Sequence, residues 1–397
     1  MKTLKIRLIW PGCAQGKYIL RARGCILAVL FWGDRKGPLQ GWGPLSYVPV
    51  DPAGNGTFFF PGRRAIPREA THVWARCYAG DFASYEDTSE EIPTAYRPEA
   101  EAGQDALRFS VLTDLHLSTK PARIRQALTA TKSDVVLLLG DLTNDGLPEQ
   151  FAQFRACMEE TVPEKLLLSV PGNHDVLHAS REGGEEGCRN YDGFQRDLLR
   201  KAQERGYRFS YEGRSYAVQI RDLDVIGLSC VTTGRKFLFP EGSAIDWLEE
   251  HLASTPASWH LILCHAPLLA HNPNRTIGSP YLDKNKRLQE LIDQNGRIIF
   301  LSGHTHVSPN LLRGNVEYDK EHGNLYLDAG RVVATDTSGE EGLLSPDWKD
   351  GCVTELFIGR DTVEICMSSM ESGRRYPRAY YRFEAQATGN DVKSETT

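Results

Sequence analysis

No CxxC pair, no apolar run long enough to cross a bilayer and no basic patch occur in this chain of 397 residues. Each absence removes a class of function. The cysteines number nine and are scattered (Cys13, Cys25, Cys77, Cys157, Cys188, Cys230, Cys264, Cys352, Cys366). An odd, unpatterned set argues against a disulfide framework and for reduced, buried thiols in a cytoplasmic protein. The most apolar stretch, CILAVLFWG from Cys25, falls far short of the roughly 20 residues of a spanning helix. It also lies too deep, behind Arg21 and Arg23, for an export signal, and so reads as a core strand. A formal net charge of -6 leaves no electrostatic footprint for nucleic acid or an anionic membrane. Methionines number only four, and no internal repeat or low-complexity tract is visible.

What is present is the composition of a soluble globular protein, 41% hydrophobic and 25% charged, long enough to bury a sizeable core. In an acidic chain, any anionic substrate must be drawn by a local positive site, which points to a bound cation.

Residues 1–83 carry short strand-like runs (LKIRLIW, YILRARG, CILAVLFWG, GTFFFPG, THVWARCYA) separated by Gly and Pro. This rhythm predicts a small antiparallel β-sandwich. Residues 84–106, acidic and Pro-punctuated, read as a linker. From 107 to about 390 the pattern alternates: LRFSVLT, helix-like PARIRQALTATK, DVVLLLG, PEQFAQFRACMEE, KLLLSV. A second series runs through RFSYE, SYAVQI, LDVIGLS, AIDWLEEHLA, WHLILC, KNKRLQELID and RIIFLS. Apolar runs alternating with amphipathic helices predict βαβ units and sheets buried on both faces. The later runs NLYLDAG, VTELFIG, TVEICMS and AYYRFEA are expected to extend or cap the second sheet, and residues 391–397 to form a flexible tail.

Five of the strands end in metal-binding side chains. LRFSVLT runs into Asp114 and His116, DVVLLLG into Asp141, KLLLSVPG into Asn173 and His174, WHLILC into His265, and RIIFLSG into His304 and His306. The carboxyl ends of strands form the ligand crevice of open α/β sheets, so separate signals point to one place. In extended backbone, residues two apart share a face, so Asp114 with His116 and His304 with His306 can each aim two ligands inward. Gly140, Gly172 and Gly303 sit just before the ligands, where a tight exit needs backbone freedom. Imidazole, carboxylate and amide oxygen together suit divalent Mn, Fe, Zn or Co. Two such ions bring four positive charges against the two aspartates, leaving a positive pocket able to clamp a phosphoryl group and activate water.

The ordered set DLH at Asp114, GDLTND at Gly140, GNHD at Gly172, CHAP at Cys264 and GHTH at Gly303 resembles the calcineurin-like metallophosphoesterase superfamily over residues 107–307. GDLTNDGLPEQFAQF followed by VPGNHD is most similar to its cyclic-nucleotide and glycerophosphodiester phosphodiesterase branch. The resemblance implies an α/β four-layer αββα sandwich, preceded by an all-β domain like the immunoglobulin- or fibronectin-like ones attached to some members. It places Asp114, His116 and His306 on one metal, Asn173, His265 and His304 on the other, and Asp141 between them. His174 is then left to face the substrate, where it stabilises the transition state or protonates the leaving oxygen. Asp175 is expected to orient His174. His178, just past the GNHD block, joins Asn173 and His174 as a substrate-side candidate, while His72, His251, His260 and His322 are expected to be surface or structural. Arg331 and Tyr281 read as packing or surface groups.

Departures narrow the family. Asn144 stands where purple acid phosphatases carry a tyrosine, and NDG and GNHD stand where serine/threonine phosphatases carry DRG and GNHE. The expected activity is hydrolysis of phosphodiesters by metal-activated water. A phosphomonoesterase and a non-catalytic scaffold of the same fold are the alternatives. The expected partner is a small phosphorylated substrate, with no nucleic acid and no membrane. For the amino-terminal region three roles stay open: a homo-oligomer contact, a wall of the substrate entrance, or a cover for a sheet edge.

Overall fold

The computed structural model describes residues 106–117, 120–176, 188–230, 243–268, 286–306, 315–319, 321–333, 350–373 and 375–385. In the amino-terminal part it describes 4–8, 17–22, 27–34, 36–40, 46–50, 55–59, 72–78 and 85–91. That part forms two antiparallel sheets. One joins β1 (Leu4–Leu8), β2 (Lys17–Ala22) and β6 (Asn55–Phe59). The other joins β3 (Leu27–Asp34), β4 (Gly37–Pro38), β5 (Ser46–Pro49), β7 (His72–Tyr78) and β8 (Tyr85–Glu91). β3 is the apolar run first read as a core strand, and its buried Ala28 and Leu30 stand opposite the buried Cys77 and Ala75 of β7.

The expected linker begins too early, because Tyr85–Glu91 pairs along its whole length with β7. β8 ends the strand order of its sheet, and an acidic run such as YEDTSEE belongs on an edge, where charge opposes the addition of a further strand.

Beyond residue 106 two mixed sheets carry the chain. The first has the order β11-β10-β9-β19-β20-β21, in which β9 (Leu107–Leu112), β10 (Val135–Leu138) and β11 (Leu166–Ser169) are parallel. The second has the order β12-β13-β14-β15-β16-β18-β17, with β14 (Leu223–Gly227), β15 (Trp259–Leu263), β16 (Ile298–Ser302) and β18 (Asn324–Asp328) parallel. Antiparallel β12 (Phe209–Glu212), β13 (Ser215–Ile220) and β17 (Val316–Asp319) take its two sides.

The late strands divide between the sheets instead of extending the second. β18 joins the second, whereas β19 (Cys352–Ile358), β20 (Thr362–Ser369) and β21 (Arg375–Glu384) return to the first, β19 lying antiparallel to β9. The parallel unit β11-β10-β9 would otherwise leave β9 as a buried edge of unpaired backbone groups.

One apolar layer lies between the sheets: Phe109, Val111 and Leu356 from the first meet Tyr216, Trp259, Leu261 and Ile299 from the second. The alternate faces carry Leu112, Leu138, Ile262 and Phe300 under the helices Pro121–Ala130, Pro148–Thr161, Ser243–Ser254 and Lys286–Gln294. Burial on both faces explains the unbroken apolar runs. A further helix, Arg189–Glu204, was not anticipated and is the longest described. Tyr191, Phe194, Leu198 and Ala202 recur on its buried face at helical spacing. Among the described residues no helix is long and apolar enough to cross a membrane. The seven described cysteines are free and buried, while Cys13 and Cys25 lie outside the described residues.

Of the histidines outside the motifs, two hold the fold together. Asp224 of β14 is fully buried and accepts hydrogen bonds from His260 Nδ1 (2.8 Å) and from His251 Nε2 (3.0 Å) on the helix Ser243–Ser254. His322 bonds Asp319 at 2.6 Å, and the side chain of His72 lies outside the described residues. Burial opposes the charge on Asp224, but the two histidines hold its carboxyl below the usual value. A depressed carboxyl stabilises the fold above its unfolded pKa near 4, and this contribution is lost as pH falls through the folded value. Asp224→Ala, which leaves both imidazoles without their partner, is therefore expected to cost about 3 kcal/mol in urea unfolding at pH 7. The gap to wild type should narrow below about pH 4; a constant gap contradicts this account.

Candidate metal centre

Thr113–His116 follows β9, Leu139–Asp141 follows β10, Val170–Asp175 follows β11, Cys264–His265 follows β15, and Gly303–His306 follows β16. All seven expected ligands thus leave carboxyl ends of parallel strands, three in one sheet and two in the other. Backbone hydrogen bonds tie the exits together. Asp114 N–H donates to Gly140 O (3.1 Å), His116 N–H to Asp141 O (2.9 Å), Gly303 N–H to His265 O (3.0 Å) and Val333 N–H to Asp114 O (3.0 Å).

The side chains meet in two groups. Asp114, His116, Asp141 and His306 form one, Asp141, His265 and His304 the other, with ligand atoms within 4.8 Å of one another in each. Asn173 joins the second, its Oδ1 3.3 Å from His265 Nε2. His265 Nδ1 lies 2.7 Å from the Leu139 carbonyl and His306 Nδ1 3.3 Å from that of Val333. A carbonyl only accepts, so each Nδ1 carries a hydrogen, and each ring when neutral turns a lone pair outward at Nε2. Those nitrogens face other acceptors: His116 Nε2 lies 3.1 Å from His306 Nε2, His306 Nε2 3.1 Å from Asp114 Oδ1, and His265 Nε2 3.3 Å from Asp141 Oδ2. Such contacts hold only with a hydrogen or a cation between the atoms. A proton relieves one contact, whereas a divalent cation at the centre of each group relieves all of them, so the donor set fits two such ions.

Electrostatics repeat the pattern on both sides of Asp141. Burial works against charge on His265, yet Asp141 and Asp114 raise it to about 10. His306, likewise buried, is raised by Asp114. Burial holds His116 down to about 4 and His304 down to about 3. Burial would also raise Asp114 and Asp141, but His306 and His265 respectively keep them well below the ordinary carboxylate range. One group asks for positive charge beside Asp114, the other beside Asp141.

The backbone departs from the extended geometry expected of these residues. Asp114, His116, Asp141, His304 and His306 all have left-handed φ, between 45° and 68°. Period-two alternation therefore does not explain why they converge; turned backbone past the strand ends does. Of the three glycines, Gly140 (φ 90°) uses conformational freedom. Gly303 is required for space, since a Cβ there would stand 1.9 Å from Thr113 Oγ1 and 2.9 Å from Asp114 Oδ2.

His174 borders the first group, its ring edge-on to His116 with centroids 4.6 Å apart, and its N–H donates to Asp141 Oδ1 (2.7 Å). Its Nδ1 lies 2.7 Å from the Asn144 carbonyl. Asp175 does not orient it. That carboxylate is fully buried and accepts from Thr143 N–H (2.9 Å) and Oγ1 (3.1 Å) and from Gly172 N–H (2.9 Å). Burial and the neighbouring Asp141 hold it up to about 6 despite those donors. Asp175 staples the β10 and β11 exits, and the Asn144 carbonyl positions the imidazole, a role no side-chain motif announces. His178 and Tyr281 lie outside the described residues. Arg331, expected as packing or surface, is fully buried, and its Nη1 donates to the His306 carbonyl.

Fold and site together define a phosphoesterase framework: the chain belongs to the calcineurin-like phosphoesterase family, which matches residues 107–308. The chain is 25% identical over 228 residues to the 3′,5′-cyclic-nucleotide phosphodiesterase alr5338 of Nostoc sp., covering 53% of this chain and 76% of that one. It is 27% identical over 188 residues to a probable glycerophosphodiester phosphodiesterase, GpdQ, of Arcobacter nitrofigilis, covering 44% of this chain and 57% of the relative. Among solved structures, GAP50, the anchor in the inner membrane complex of Plasmodium, aligns with a TM-score of 0.44 and 13% identity over 72% of this chain and 90% of that one.

Gly303→Ala tests the packing argument. Its Cβ must push Thr113 and, through the Thr113 Oγ1–Asp114 Oδ2 hydrogen bond of 2.8 Å, the Asp114 carboxylate. Manganese affinity, measured by calorimetry, is expected to fall by about tenfold or more. Unchanged affinity contradicts the argument.

Proposed function

We propose that the chain hydrolyses phosphodiester bonds with two divalent cations, of Mn, Fe, Zn or Co. The observation that carries this reading is the Asp141 carboxylate, common to both ligand groups. Asp114, His116 and His306 would hold one ion, and Asn173, His265 and His304 the other, with Asp141 shared between them. Such a pair supplies Lewis-acid polarisation of a phosphoryl group and lowers the pKa of water toward about 7.

The remaining work falls to the chain. Two buried aspartates against two divalent ions leave a positive pocket that draws an anionic ester into an acidic protein. His174 holds its Nδ1–H on the Asn144 carbonyl, and its Nε2 has no hydrogen bond among the described residues. Protonated, the ring can pass the Nε2 proton to the departing oxygen; neutral again, it is reset by solvent. Its N–H on Asp141 Oδ1 keeps the acid in register with the shared carboxylate.

The named activities of the Nostoc and Arcobacter relatives, both diesterases, support the diester preference. The two antiparallel sheets before residue 92 support reading that region as an immunoglobulin- or fibronectin-like sandwich.

With manganese, purified protein is expected to turn over bis(p-nitrophenyl) phosphate with higher kcat/KM than p-nitrophenyl phosphate; a reversed ratio assigns a monoesterase. A chelator should abolish turnover and manganese restore it. Asp141→Ala should be inactive, and wild-type rates in that variant would sink the proposal. His174→Ala is expected to lower kcat by about 100-fold or more with bound metal unchanged. A loss of metal in that variant would instead make His174 a ligand.

A further inference from the structure

The helix Arg189–Glu204 turns a second face toward the β12–β13 hairpin. Gln195, Arg196, Leu199 and Arg200 lie on one stripe at helical spacing, and Tyr211 and Arg214 face them from the hairpin. Between them is a cavity of about 650 Å³, within the range of small-ligand sites. None of its lining residues belongs to the metal centre.

Its chemistry is mixed in a definite way. The floor is buried: Leu199 supplies apolar surface, and Gln195 donates to the carbonyls of Ser169 (3.3 Å) and Arg214 (3.2 Å). The rim is cationic, with three guanidiniums against the single lining carboxylate of Asp192, which Arg214 already grips at 2.5 and 3.1 Å. Arg200 pairs with Glu204 one helical turn on, an exposed pair of the weak kind. Arg196 makes no ion pair or hydrogen bond among the described residues. Tyr211, 46% exposed, is the one exposed large hydrophobic side chain described. One face of its ring stacks on Phe209 (centroids 5.9 Å, interplanar angle 24°), and its hydroxyl accepts from Gln203 Nε2 (3.0 Å). The ring is therefore held flat, with its other face free to stack.

A held aromatic face beside the unpaired Arg196 and the weakly paired Arg200 fits a flat ring carrying a phosphate. We infer that this groove binds a mononucleotide, its base on Tyr211 and its phosphate between Arg196 and Arg200. The inference stands independently of the catalytic reading. A guanidinium grips the oxygens of a phosphate in a bidentate fork, as it does those of a carboxylate, and the aromatic face is what favours the nucleotide over an acidic peptide.

Calorimetric titration of the full-length, manganese-loaded protein with adenosine 5′-monophosphate tests it. Arg196→Glu and Tyr211→Ala should each weaken one binding event by about tenfold or more. Arg196→Lys should retain a larger share of that affinity. Thermal unfolding should stay at the wild-type midpoint in all three variants, which separates the result from misfolding and from any failure of catalysis. Orthophosphate alone and adenosine alone should each bind the groove at least about tenfold more weakly than the nucleotide, because each uses one half of the site. Equal nucleotide affinity in wild type, Arg196→Glu and Tyr211→Ala overturns the inference. So does nucleotide binding that vanishes entirely in Asp141→Ala, since it then belongs to the metal centre. Uptake of poly-L-glutamate in place of the nucleotide also overturns it and makes the groove a dock for acidic peptide.

Discussion

The site depends on one electrostatic constraint: ring nitrogens and carboxylate oxygens, all electron-pair donors, are held against each other in a dry place. His116 Nε2 and His306 Nε2 stand 3.1 Å apart, and Asp141 Oδ2 lies 3.7 Å from His116 and 3.3 Å from His265. Without a proton or a cation between them these groups would separate, because each lone pair in low dielectric repels the next. What prevents it is the framework behind them. Two sheets packed face to face fix five strand ends, and the exits are laced by main-chain hydrogen bonds that no side-chain change removes.

This division of labour explains what was legible in the sequence. Strands β9, β10, β11, β15 and β16 announce themselves because burial on both faces demands continuous apolar residues. The ligands announce themselves because a polar residue directly after such a run is costly without a partner. Other features carry no such signal. Left-handed φ at Asp114 or His306 is only weakly marked by residue type, Asp and His adopting it more often than most, so alternation of side chains was a sound rule applied where the strand had already ended. The Asn144 carbonyl that positions His174 belongs to the backbone and would be offered by any residue there. Asp175 looks like a partner for His174 because it is adjacent in sequence, but its carboxylate is consumed by Thr143 and Gly172.

The helix Arg189–Glu204 is a different case, since its signal was present. Tyr191, Phe194, Leu198 and Ala202 keep helical spacing, but they follow the Gly- and Glu-rich REGGEEGCRN, which reads as a loop after the GNHD block. These four buried residues are also flanked by charged and strongly polar ones, which lowers the apparent hydrophobicity of the segment without weakening its stripe. The destination of β19–β21 was not legible for another reason: which sheet a strand joins depends on which edge is unsatisfied, and the edge that takes β19 belongs to β9, more than 200 residues earlier in the chain.

The same constraint sets where stability is lost and where it is recovered. A left-handed non-glycine residue costs roughly 1–2 kcal/mol, and the centre holds five of them. Burial of Asp114 and Asp141 opposes their charge, and His306 and His265 respectively more than offset that opposition. These costs are concentrated at the loops, whereas the compensating apolar burial lies in the layers between and outside the sheets. Such spatial separation lets the ligand geometry be strained without loosening the core. The sheets by themselves hold the candidate ligands close together, as a preorganised site requires.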